Sequence, residues 1–120
     1  MPENLPDILT GITRKDLFEK FRLQLRKDFE SCALQGSFCD ELQQNYEMIK
    51  QVILTEIEKT GRIAGGRLQE LLYRIDISEM QIKNAYIKSP ELKMEEVIAD
   101  LIIKRELQKI VFKEFYGKHE

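Results

Sequence analysis

A serine or cysteine nucleophile needs a base within hydrogen-bond reach, most often a histidine. The 120-residue chain has one histidine, His119, next to its last residue, and two cysteines, Cys32 and Cys39. Helical metal sites use His-x-x-x-His or Glu-x-x-His spacing, and neither occurs here. Carboxylates are abundant, but pairs such as Asp40/Glu41 and Glu95/Glu96 are adjacent in sequence. Neighbours on a helix point about 100° apart, so these pairs diverge and read as solvated faces. Cys32 and Cys39 flank a turn at Gln35-Gly36. They read as small apolar side chains in a reducing compartment, with a disulfide across the loop open to them. The expectation is no catalytic residue, no metal and no cofactor.

Two segments invite a binding role. Gly61-x-x-x-Gly65-Gly66-Arg67 opens an apolar-periodic run, and helix N-termini attract anions. No Lys-Ser/Thr follows it and no strand precedes it, so it reads as a helix stop and tight turn rather than a phosphate loop. From 68 to 88 the pattern is sharper. Leu71 and Ile75, then Ile77 and Ser78, then Ile82 and Ala85 follow the order of two short helices around a three-residue turn. This resembles the spacing of the bacterial helix-turn-helix motif. Leu72 departs from it where a small residue is usual, and Asp76 where glycine is usual. The resemblance implies that Gln81, Lys83, Asn84 and Lys88, with Glu79, face outward to read bases. Arg67 and Arg74, with Arg62, would then meet phosphates.

The elements that must position these residues are helices. Four hydroxyl residues precede apolar-periodic runs: Thr13, Ser37, Ser78 and Ser89. Three have Asp or Gln three residues on, which is the capping-box pattern or its Asp relative, and the fourth has Pro90 behind it. The expected architecture is an all-α, single-domain bundle of about five helices. Three are long, at 14–34, 38–60 and 90–116, and two are short, at 67–75 and 79–88. The first of these carries a stripe of Leu17, Phe21, Leu25, Phe29 and Cys32, and the second one of Phe38, Leu42, Tyr46, Ile49, Ile53 and Ile57. Residues 1–12, with two prolines and a glycine, are expected to form an extended N-terminal arm. The last helix is apolar nearly all round, so it is either the centre of its own bundle or shared with a partner.

With 42% hydrophobic and 33% charged residues, disorder is excluded. The net charge of −2 gives no global pull toward nucleic acid or anionic membrane. The N-terminus lacks a signal-peptide pattern, and the longest apolar stretch is broken by Asp100, so the expected location is cytoplasmic. The functional expectation is a non-enzymatic protein–protein interaction or assembly module. It would act as a homodimer through helix 90–116, with Ile103, Leu107, Ile110 and Phe112 as the self-association residues. The alternative is a small DNA-binding regulator using the 68–88 corner.

Overall fold

The computed structural model describes residues 7–61 and 66–117. Helix accounts for 79% of them, and none forms a strand. In chain order the helices are α1 (Thr10–Thr13), α2 (Lys15–Ser31), α3 (Tyr46–Gly61), α4 (Arg67–Ile75), α5 (Glu79–Lys88) and α6 (Met94–Tyr116). A 3-10 turn at Ser37–Glu41 lies between α2 and α3. The all-α bundle expected from periodicity is therefore present. Its radius of gyration of 14.3 Å is close to the ~13.6 Å of a compact chain of this length.

α6 is the axis of the bundle: α1, α2, α3, α4 and α5 all pack against it. Its 23 residues extend about 35 Å at 1.5 Å each. Buried Leu17, Phe21, Leu25 and Phe29 from α2, Ile49, Ile53 and Ile57 from α3, and Leu71 and Ile75 from α4 converge with Ile102, Ile103 and Leu107 of α6 on one core. The stripe steps of three and four residues are what allow each helix to present a single apolar face.

The extended arm is corrected over its second half. Residues 10–13 are helical, because Asp7 Oδ1 accepts from Leu9 N (2.9 Å) and starts the turn. Gly11 also lets that backbone sit directly on α6, where a Cβ would come within 2.7 Å of Leu107 Cδ2. Residues 1–6 of the arm lie outside the described residues, as do Arg62 and His119, and most of the glycine-rich 61–66 segment.

Four helix ends also differ from expectation. Thr13 does not cap α2, since its backbone closes α1 by bonding to Leu9, and Asp16 instead pairs with Arg14 at 2.7 Å. α2 stops at Ser31 rather than near Leu34: Ala33 is left-handed (φ 59°), with Leu34 N bonded to Phe29 O and Ala33 N to Glu30 O. This is a Schellman cap with alanine where glycine is usual. Gly36, in the expected turn, lets the following loop lie against α2, where a Cβ would sit 2.9 Å from Arg26 Cγ and Glu30 Cγ.

The helix expected at 38–60 is split. Ser37–Glu41 forms the 3-10 turn, Leu42 is extended, and α3 begins only at Tyr46. Asp40 pairs with Arg22 and Arg26 rather than closing a capping box, and Asn45 caps α3 through Oδ1 to Met48 N (3.0 Å). Ser89 and Pro90 do not open α6. Leu92 N bonds to Ser89 O (3.0 Å) across a turn with proline at its second position. α6 starts at Met94, with Glu96 accepting from Lys93 N at 3.0 Å. No helix among the described residues is long and apolar enough to cross a membrane.

Candidate functional site

The α4–α5 corner has the expected bounds, because both ends are encoded locally. Ser78 Oγ accepts from Gln81 N (3.1 Å) and Gln81 Oε1 accepts from Ser78 N (2.7 Å), so the capping box is complete. Asp76 adopts the left-handed conformation (φ 74°, ψ 50°) that glycine fills in the motif it resembles. Ile77 N bonds back to Leu72 O at 2.8 Å, and Arg105 of α6 holds Asp76 Oδ2 at 3.1 Å. The departure at Asp76 therefore leaves the turn geometry intact.

The candidate DNA-contacting residues do not gather on one face. Arg67 donates to Ala33 O (2.8 Å) and Arg74 to Asp28 Oδ1 (2.9 Å), so both arginines are turned to α2 and its C-terminal loop. Gln81, Asn84 and Lys88 border a cleft of about 410 Å³ against Asp100 and Lys104 of α6. Lys83 is exposed beyond that cleft.

At 100° per residue, Met80 and Ile87 share one line along α5, about 180° from inward-facing Ile82 and Ala85. They are 62% and 63% exposed, and α5 has no fully buried residue. Tyr73, opposite the core face of α4, is 88% exposed. The centre of α5's solvent face is thus apolar. The signal was present in the sequence as an i, i+7 pair facing away from the Ile82/Ala85 line.

The residues expected to mediate self-association lie elsewhere. Ile103 and Leu107 have no exposed surface, Ile110 is buried, and half-buried Phe112 packs edge-on against Tyr116 with ring centroids 5.8 Å apart. Neighbouring helices of the same chain cover Ile103, Leu107 and Ile110, while Phe112 keeps part of its surface.

A second feature lies at the α2–α6 seam. Glu106 is 0% exposed and Asp28 only 2%. Asp28 Oδ1 accepts from Gln24 Nε2 (3.1 Å) and Arg74 Nε (2.9 Å). Asp28 Oδ2 and both Glu106 oxygens find no hydrogen-bond donor among the described residues when both groups are ionised. Lys109 Nζ lies 3.8 Å from Glu106 Oε1, an ion-pair distance but too long for a hydrogen bond. Burial, and then Asp28 beside it, push the Glu106 carboxyl up to about 9. Burial alone would raise Asp28 as well, but hydrogen bonds from Glu106, Gln24 and Arg74 and the charge of Lys109 outweigh it and hold Asp28 below the usual range. Above the seam lies a groove of about 500 Å³ lined by Leu23, Gln24 and Ile110 with Lys20, Lys27 and Lys113 at its rim.

Both cysteines are free and buried. Burial raises the Cys32 thiol and pushes Cys39 up to about 12, so neither is a thiolate at neutral pH. No three His, Cys, Asp or Glu side chains among the described residues are grouped as metal ligands. The chain matches no family model, no curated protein and no solved structure.

Proposed function

We propose that this chain is a non-enzymatic helical interaction module that self-associates weakly through the outer face of α5. The reading is carried by one observation: the most solvent-directed line of α5 is Met80 and Ile87, more than half exposed. Antiparallel pairing of two copies about a twofold axis between Lys83 and Asn84 sets each Met80 against Ile87 of the other copy. Four such side chains remove on the order of 400 Å² of apolar surface from water, or ~10 kcal/mol at ~25 cal/mol per Å². Association costs of about 4–15 kcal/mol offset most of that gain, so the dimer is weak. Sedimentation from ten to several hundred micromolar tests this, on the order of the affinities such a balance permits. The average mass should rise with concentration for the natural sequence and stay monomeric for Ile87→Glu. A natural sequence that remains monomeric throughout overturns the reading.

The left-handed turn at Asp76 and the exposure of Lys83, Asn84 and Lys88 favour a second reading, duplex DNA binding through α5. Against it, Arg67 and Arg74 already have partners within the fold. Such binding would weaken steeply with salt as counterions are released. A DNA titration at two salt concentrations that shows no binding at the lower one removes it.

A further inference from the structure

We propose that Asp28 of α2 and Glu106 of α6 share a single proton in the core, and that this proton latches the two helices together. The argument rests on acceptor counting. Two ionised carboxylates can only accept, and the two available donors, Gln24 and Arg74, both go to Asp28 Oδ1. Asp28 Oδ2 and the Glu106 oxygens are thereby left buried with no donor. A proton on Glu106 supplies one, directed at Asp28. It also reduces two buried negative charges to one, which Arg74 then balances.

Every element around Glu106 is compatible with this. α2 brings Asp28, α4 brings Arg74, and α6 itself brings Lys109 and Arg105. α1 carries no titratable side chain, and none of the largest charges acting on Glu106 comes from α3 or α5. Lys109 and Arg105 both favour the charged form of Glu106, but they are outweighed by burial and by Asp28. When the proton leaves, two carboxylates face each other at the seam. Gln24, which donates to Asp28, also lines the groove between α2 and α6.

The sign of the linkage follows. The native state keeps the proton up to about pH 9, whereas an unfolded glutamate loses it near pH ~4.3. Between those values the native state binds one more proton than the unfolded chain, so stability falls as pH rises. Denaturant unfolding should be followed between about pH 5.5 and 7, a window that ordinary carboxylates and thiols leave nearly silent. The unfolding constant should rise by about tenfold per pH unit. In Glu106→Gln, which keeps a donor toward Asp28, the slope should vanish.

A second measurement guards against a variant that fails to fold. The side-chain carboxyl carbon of Glu106, followed by NMR in the natural sequence, should titrate well above neutrality. In Asp28→Asn its midpoint should drop, because both the neighbouring charge and the shared bond are gone. A pH-independent natural protein, a Glu106 carbon titrating in the ordinary carboxylate range, or a midpoint unmoved by Asp28→Asn would each overturn the shared proton.

Discussion

α5 and α6 are both rich in apolar residues, yet the fold treats them oppositely. α6 is surrounded by five other helices and encloses nine residues, one of them a carboxylic acid. α5 rests on α6 and encloses none. Apolar content does not separate the two; the number of neighbours does. A helix at the axis has little outer face, so most of its apolar surface is used up internally. A helix on the rim covers only one line, and any second apolar line is left to the solvent or to another molecule.

The comparison is broken most easily at the axis. Leu107→Ala empties a fully enclosed position and should cost about 2–5 kcal/mol in denaturant unfolding. A loss under about 1 kcal/mol would mean that the axis is loosely packed. Gly11→Ala probes the same position from outside, since the new Cβ would lie 2.7 Å from Leu107 Cδ2 and 3.3 Å from Val111 Cγ2. Overpacking of this kind should cost about 1–3 kcal/mol, read as a shift in unfolding midpoint.

Smaller effects sharpen the contrast on the rim. Ser78→Ala removes half of the capping box and should cost about 1 kcal/mol, with amide exchange accelerated in α5 before α6. Ala33→Gly relieves a left-handed alanine and should stabilise the protein by up to about 1 kcal/mol. The smallest effect belongs to Met80→Gln, within about 0.5 kcal/mol of the natural stability, because that side chain projects into solvent. A large loss there would show that α5 uses its outer line within its own fold.

The parts that could be read from sequence are those governed by local rules. The α2 stripe from Leu17 to Phe29, the bounds of α4 and α5, and the Ser78/Gln81 box all depend on residues a few positions apart. The failures have a common physical cause, which is competition for the same groups. Asp16 and Asp40 had the spacing of capping partners but were claimed by arginines, Asp40 by two of them on α2. Pro90 was compatible with a first helical turn and with a β-turn, and the chain used the turn. Asn45, a good cap, is hidden in the sequence because the apolar period runs straight through the break at 42–45.

The site was less legible than the fold. The apolar pattern of Ile103 and Leu107 fits a buried axis and a shared face equally, and burial by other helices cannot be seen in one helix's pattern. Met80 and Ile87 could have been found on a helical wheel of α5 alone. Asp28 and Glu106 could also have been noticed, since each lies in register with a core stripe, between Leu25 and Cys32 and between Ile103 and Ile110. Their pairing could not, because it depends on how α2 and α6 are brought together in space.

The enclosed cysteines turn this architecture into a clock. Cys39 has no exposed surface and lies on the short turn that packs over α2. An alkylating reagent can reach its sulfur only when that turn lifts, and only the ionised sulfur reacts quickly. With reagent concentrated enough for alkylation to outpace reclosing, the labelling rate of Cys39 therefore counts openings of the 37–41 segment. If that rate equals the global unfolding rate, the turn and the bundle open as one unit. If it is faster, the segment is an independently opening flap, and its lifetime can be timed without adding any probe to the chain.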